Sequence, residues 1–167
     1  MRLVCQIISF MFLFCSFSVF VWPEEVYFTP SQQCEREIIL RIDKAKTKID
    51  AAVYSITNKK IVTALIEAHK RGVYIRILTD RMQAGQKSSK VSELEKAGIN
   101  LLRHKKHRIL HNKFAIFDES QTVSGSYNWT ESASNKNSED CLFLSLPQDE
   151  CVLKYQERFN QLWELNQ

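Results

Sequence analysis

Residues 111–128 read His111-Asn112-Lys113-Phe114-Ala115-Ile116-Phe117-Asp118-Glu119-Ser120-Gln121-Thr122-Val123-Ser124-Gly125-Ser126-Tyr127-Asn128. Two stretches suited to strands, 111–117 and 121–124, flank the turn-forming residues Asp118, Glu119 and Ser120. The pattern predicts a pair of strands joined by a tight connection. Alternate residues of a strand face the same side, so His111 and Lys113 project together and Asn112 points away. Phe114 and Phe117 are expected to fill the packing around them. Past a sharp bend at Gly125, Ser126 and Asn128 again share a direction and can aim a hydroxyl and an amide at one point. A nucleophile beside a cation on a rigid strand suits an encounter with phosphate.

Outward from this segment, strand-like and helix-like stretches alternate. Residues 26–28 form a short apolar run stopped by Pro30, and Ser31 is placed to cap a helix reaching about Lys46, with Ile38, Ile39 and Ile42 on one face. Residues 48–54 (KIDAAVY) read as a buried strand. Thr57 or Asn58 then caps a second helix carrying Ile61, Val62, Leu65 and Ala68 at helical spacing, closed by Gly72. Residues 73–79 (VYIRILT) are a strand, 80–89 a polar loop, 90–97 a short helix ended by Gly98, and 99–102 a strand. A strand over 141–146 and an amphipathic helix with Val152, Tyr155, Phe159, Leu162 and Trp163 on one face close the chain. Strands alternating with helices predict an α/β sandwich around a mixed sheet.

The chain has 167 residues, 25% charged and 44% hydrophobic, with a net charge of +4 and a pI near 8.8. That length suits one domain, and the mild basicity permits a phosphate-bearing partner without demanding one. No internal repeat or low-complexity linker is present, which excludes solenoids and disordered tails. Residues 3–22 (LVCQIISFMFLFCSFSVFVW) are uncharged and close to the length of a membrane span. They are expected to be a signal peptide or a membrane anchor, with the catalytic domain over 23–167. Cys34, Cys141 and Cys151 remain for the domain; an odd number fits buried thiols with one bridge at most, and no four-ligand zinc pattern is visible.

From average residue usage, His-x-Lys-x4-Asp arises by accident in roughly one chain in a hundred, and Gly, Ser and Asn at fixed offsets lower that by several orders of magnitude. The spacing His111-x-Lys113-x4-Asp118-x6-Gly125-Ser126 resembles the signature of the phospholipase D superfamily. The continuation Asn128-Trp129-Thr130, Glu139 and the segments EVYFTPS and KRGVYIRILTD are similar to its small single-motif members, the bacterial Nuc-type endonucleases and the mitochondrial cardiolipin hydrolases (Zucchini type). The likeness runs from about Val26 to the C-terminus. One departure stands out: the Zucchini type inserts a cysteine-rich zinc element after its first strand, and this chain has only Cys34 there.

The resemblance implies a phospholipase D-like sandwich, a central mixed sheet flanked by helices, and metal-independent phosphodiester cleavage with no cofactor. Covalent catalysis needs both a nucleophile and an acid for the leaving oxygen, and one histidine cannot be both in one step. Two-motif relatives hold both halves in one chain; this chain, with one copy, is expected to form a symmetric homodimer with a composite site. His111 attacks or protonates, Lys113 and Asn128 bind the non-bridging oxygens, and Ser126 binds phosphate or steadies His111. Glu139 would accept from the second histidine nitrogen, although Asp140 could take that place. Asp118 is either a catalytic part or a turn residue shaping the site. The run Arg103-His104-Lys105-Lys106-His107-Arg108 reads as an exposed loop; Arg103, Lys105, Lys106 and Arg108 could hold nucleic acid or anionic headgroups. A zinc site at His104, His107 and His111 is disfavoured by loose spacing. Endonuclease on DNA or RNA is the leading expectation, with phospholipid hydrolysis second and a catalytically dead binding protein third. Localisation is expected to be exported or membrane-anchored, or the mitochondrial outer membrane in a eukaryote.

Overall fold

A strand buried on both faces belongs at the middle of a sheet, and β2 (Lys48–Val53) shows only Lys48 short of full burial. In the computed structural model, which describes residues 24–147 and 149–167, β2 pairs in parallel with β3 (Tyr74–Asp80) and antiparallel with β5 (Lys113–Phe117). The sheet is completed by β1 (Glu25–Phe28), β4 (Asn100–His104), β6 (Gln121–Gly125) and β7 (Asp140–Ser145). Its seven strands run in the order β1-β7-β6-β5-β2-β3-β4. The half from β2 to β4 is parallel, and the remainder is antiparallel.

Helices α1 (Gln33–Lys44) and α2 (Lys59–Lys70) cover one face. Their Cys34, Ile38, Ile42, Ile61 and Leu65 pack on Ile49, Ala51, Val53, Ile75, Ile77, Ala115 and Phe143. On the opposite face Val152, Phe159, Leu162 and Trp163 of α6 (Cys151–Glu164) pack on Ala52, Leu78, Phe114, Ile116 and Leu144. The mixed sandwich expected from the alternation of elements is present, with α4 (Val91–Lys96) at its edge.

Several expectations need correction. The first helix begins at Gln33 with Gln32 at its N-cap; Ser31, one place earlier, accepts from Gln33 N–H at 3.3 Å while its hydroxyl donates to Phe28 O at 2.8 Å. Of the two candidates for α2, Asn58 is the cap, its Oδ1 accepting from the N–H groups of Lys60 and Ile61. The loop over 80–89 contains the one-turn helix α3 (Arg81–Ala84), nucleated where Asp80 accepts from Met82 and Gln83 N–H. A second short helix, α5 (Glu131–Asn135), is capped by Thr130. Single turns lack the repeat that makes longer helices visible in sequence. Strand β4 extends through His104, so Arg103 and His104 are sheet residues. Phe114 lies under α6 and Phe117 on the α1–α2 side, because neighbours on a strand face opposite ways; neither surrounds His111 and Lys113.

Cys34 of α1 and Cys141 of β7 form a disulfide, leaving Cys151 free and exposed. Among the described residues no helix is long and apolar enough to cross a membrane. The apolar run 3–22, with its expected role as signal or anchor, lies outside the described residues.

Candidate active site

Parallel strands place their carboxyl ends together, and β5, running the other way beside β2, brings its start to the same end. Tyr54, which follows β2, therefore meets residues 111–113 directly: its N–H donates to Asn112 O at 2.8 Å. Its ring centre lies 4.8 Å from that of His111, inclined at 59°. The Lys113 ammonium sits 5.0 Å from the same ring centre and donates to His111 O at 2.6 Å. Tyr54 is itself anchored, its carbonyl accepting from Thr79 Oγ1 at 3.3 Å and its hydroxyl from Gln83 Nε2 at 3.0 Å. His111 is exposed and precedes β5 rather than lying within it, yet it shares the Tyr54 ring with Lys113. Burial pulls the Lys113 ammonium below its ordinary value, and the carboxylate of Glu139 opposes that shift.

The β6–β7 edge supplies the next group. Gly125 has φ +145°, and a Cβ there would run into the Asp140 backbone carbonyl and lie 2.8 Å from Asp140 Oδ2. Only glycine allows this approach. The bend lets Ser126 Oγ donate to Glu139 Oε2 at 2.6 Å while accepting from Asp140 N–H at 3.0 Å. The other oxygen of Glu139 accepts from Asn137 Nδ2 at 2.8 Å. Within this chain Glu139 is thus held by Ser126 and Asn137, not by a histidine nitrogen.

Asn128 is fixed through its neighbour. Trp129 is 2% exposed, and its carbonyl accepts from both Thr57 and Asn58 N–H. Asn58 donates in turn to the buried Glu35, which also accepts from Lys60 at 2.7 Å and Ser134 at 3.3 Å. Burial would raise the Glu35 carboxyl, but the Lys60 and Asn58 hydrogen bonds hold it below its ordinary value. Tyr127, hydrogen-bonded to Ser134 at 2.6 Å, is pushed up to about 12 by burial. The Asn128 Oδ1 atom is buried and has no hydrogen-bond partner within the described residues.

Asp118 lies at the far end of β5, on the order of 20 Å from His111 by strand rise. Its carboxylate accepts from the N–H groups of Lys46 (2.9 Å), Thr47 (2.9 Å) and Lys48 (3.0 Å) and from the Thr47 hydroxyl (2.8 Å). Burial raises its pKa, but these bonds outweigh that and hold it below the usual carboxylate range. With φ +49°, it also forms the turn. Its position suits the turn role and separates it from the site.

The basic run divides in the same way. Arg103 is paired with Glu95 of α4 through contacts of 2.9 to 3.1 Å, an ion pair exposed on both sides. His104 is 1% exposed rather than part of an exposed loop, since β4 pairs it with Asp80. Lys105, Lys106 and Arg108 are exposed at the same end of the sheet as His111. His104 and His107 approach to 2.9 Å, but among the described residues no cluster of three or more His, Cys, Asp or Glu suited to a metal is gathered.

A mixed sheet with a histidine and a lysine at the start of its central antiparallel strand is the arrangement of one large superfamily. A family model, the cardiolipin synthase PLD-like domain, matches residues 38–163, and the chain belongs to the phospholipase D superfamily. Within it, the similarities fall among small members with one motif copy. The chain is 40% identical over 117 residues to a phospholipase D of Rickettsia conorii, covering 70% of this chain and 58% of that protein. It is 35% identical over 121 residues to a mitochondrial cardiolipin hydrolase of Danio rerio, covering 72% and 52%. The phospholipase D family member Nuc from Salmonella typhimurium superposes with a TM-score of 0.80 and 28% identity, covering 87% of this chain and 96% of Nuc. The chain spans a little over half the length of the curated relatives it matches.

Tyr54 is the site residue that sequence reasoning missed. Its signal was its place directly after a buried strand, since sites in α/β sheets gather at the carboxyl ends of parallel strands.

Proposed function

We propose that this chain is a metal-independent phosphodiesterase that works through a phosphohistidine, as a homodimer, on a nucleic-acid backbone. The observation that carries the reading is the convergence of His111 and Lys113 on the Tyr54 ring, at the end of the sheet where Ser126 and Glu139 also meet. In the first step a neutral His111 attacks phosphorus, forming a P–N bond as the P–O bond to the leaving group breaks. A second, protonated His111 donates its proton to the departing oxygen, then takes one from the water that attacks phosphorus and releases the first histidine. Lys113 and Asn128 bind the non-bridging oxygens, where developing charge is stabilised most. Asn128 would do so through its Nδ2 amide, since its Oδ1, like a phosphate oxygen, can only accept.

One chain supplies one histidine, and the surface supports pairing. Val26 lies opposite Leu142, and Leu142 opposite Ser124, so all three share the α6 face of the sheet with Phe28. α6 packs on β2, β5, β6 and β7 but leaves Val26 51%, Phe28 64% and Leu142 38% exposed. Leu153 on α6 is 55% exposed. A second copy laying its α6 beside the first would cover this apolar strip.

Nucleic acid is favoured by the openness of the site: an exposed histidine bordered by exposed cations at 105, 106 and 108 suits a long polyanion. The names of the phospholipase D and cardiolipin hydrolase relatives favour a second reading, hydrolysis of a phospholipid headgroup diester. The test offers EDTA-dialysed protein a fluorescent single-stranded oligonucleotide and cardiolipin vesicles in parallel, with His111→Ala as control. Metal-free cleavage of the oligonucleotide alone supports the first reading, and release of phosphatidic acid alone supports the second. Full turnover by His111→Ala of either substrate removes both, and an active monomer in sedimentation removes the composite site.

A further inference from the structure

His104 is buried at the end of β4, where the basic segment 105–109 departs, and both of its ring nitrogens face donors. The Asn166 side chain is oriented by two backbone groups. Its Oδ1 accepts from Lys105 N–H at 3.0 Å, and its Nδ2 donates to Leu162 O at 2.7 Å. A carbonyl can only accept and an N–H can only donate, so the amide cannot be reversed. Asn166 Nδ2 therefore presents a hydrogen to His104 Nδ1, 2.9 Å away. On the other side His104 Nε2 lies 2.9 Å from both the backbone N–H and the ring Nδ1 of His107. The two imidazoles stack with centres 5.0 Å apart and planes 9° apart. A neutral His104 can accept from Asn166 at Nδ1. An imidazolium could still donate from Nε2 to His107 Nδ1, but it would turn its Nδ1 proton against the Asn166 N–H.

The segment is held at three points: Lys105 N–H by Asn166, His107 by His104, and Leu110 N–H by Asp80 Oδ2 at 3.1 Å. Between these ties Lys105, Lys106 and Arg108 are exposed, at the same end of the sheet as His111. We propose that His104 is a positioning residue for substrate: its neutral ring docks the basic segment beside the active site, and its protonation undocks it. The proposal rests on the phosphodiesterase reading, and it assigns the pH dependence of this ring to binding of the polyanion rather than to the chemical step.

The pKa of His104 lies below its ordinary value: burial lowers it most and His107 next, Asp80 at the end of β3 raises it, and Arg158 of α6 lowers it again. A histidine depressed in the docked state leaves docking intact above the ordinary histidine value of about 6.5 and weakens it progressively below.

The test compares wild type with His104→Phe and, as a second variant, Asn166→Ala, using the full chain. Two substrates are used: a single-stranded oligonucleotide, which reaches the basic segment, and bis(p-nitrophenyl) phosphate, which is too small to do so. In wild type, KM for the oligonucleotide is expected to rise about five-fold between about pH 8 and about pH 5.5, beyond any change for the small diester. His104→Phe is expected to show the high KM at both pH values, with kcat and small-diester turnover within about two-fold of wild type. Asn166→Ala is expected to raise KM at the higher pH in the same way. The proposal is overturned if His104→Phe keeps the wild-type oligonucleotide KM and its pH dependence. It is equally overturned if either variant, folded by circular dichroism, loses small-diester turnover in parallel. If wild type cleaves neither substrate, the phosphodiesterase reading fails on its own; oligonucleotide anisotropy at the two pH values then decides the docking proposal. Binding to anionic vesicles with no binding to oligonucleotide would assign the segment to a membrane surface and overturn it.

Discussion

The Lys113 ammonium lies 5.0 Å from the centre of the Tyr54 ring, whose own centre is 4.8 Å from that of His111. One aromatic side chain thus supports both members of the His-x-Lys pair. Burial lowers the lysine below its ordinary value while Glu139 opposes that shift. The alkaline limb of kcat/KM is therefore expected below the ordinary lysine range, with activity lost as pH rises and Lys113 gives up its proton. Glu139→Gln removes the opposing charge and should move the limb further down. A pH–rate profile of the variant shifted upward would contradict this electrostatic link.

Asp118 should matter for stability and not for turnover. Its carboxylate gathers three backbone N–H groups and a hydroxyl, and its folded pKa is held below the ordinary range. That contribution is full above the ordinary carboxylate value and is lost as pH falls through the lowered one. Asp118→Asn, which tolerates the same left-handed backbone, is expected to cost about 1–3 kcal/mol at neutral pH, toward the low end because the group is partly exposed. Urea melts of the two proteins should converge in acid. A hundred-fold loss of kcat with unchanged stability would return Asp118 to the chemistry.

Two glycines separate backbone strain from collision. Gly72, at φ +93°, has open space where a Cβ would go, whereas Gly125 meets Asp140. Gly72→Ala is expected to cost about 1 kcal/mol, from its backbone angle alone. Gly125→Ala should cost about 3 kcal/mol or more and displace Ser126 from Glu139. Thermal melts of the two variants give the comparison; equal losses would show that β7 yields freely to the added carbon.

The Cys34–Cys141 disulfide ties α1 to β7 across a sequence separation of 107 residues. A closure of that length is expected to contribute about 2–5 kcal/mol, chiefly by restricting the unfolded chain. Dithiothreitol should lower the melting temperature of wild type and leave Cys34→Ala/Cys141→Ala unchanged. Identical melts of reduced and oxidised wild type would remove the contribution.

The cations of the basic run should differ in the salt dependence of oligonucleotide binding. Alanine at Lys105, Lys106 or Arg108 is expected to reduce the slope of log K against log salt by about 1 each, if each meets one phosphate. Arg103→Ala should leave the slope unchanged, because its guanidinium is bound to Glu95. A change of slope in Arg103→Ala equal to the others would show that the ion pair opens on binding.

Much of the architecture was legible in local pattern. The apolar run of β2, the helical spacing in α1, α2 and α6, and the turn between β5 and β6 are properties of neighbouring residues, and neighbouring residues set them. The one-turn helices α3 and α5 were not legible, since a single turn repeats nothing. The motif spacing pointed to His111, Lys113, Ser126 and Asn128 as a group, and the fold gathers His111, Lys113 and Ser126 at one end of the sheet.

What the tertiary structure alone decided are pairings between residues far apart in the chain. Tyr54 meets His111 only because β2 and β5 lie side by side, and the two cysteines meet only because α1 crosses β7. Asp118 stands six places from Asn112 in sequence, yet strand rise carries it to the other end of the sheet, while Glu139 is brought back to Ser126. The basic run looks uniform in sequence, but sheet pairing buries His104 and turns Arg103 toward Glu95. Sequence spacing fixes direction along one element; which side chains meet across elements depends on strand order and register, and these are set by burial of the whole sheet.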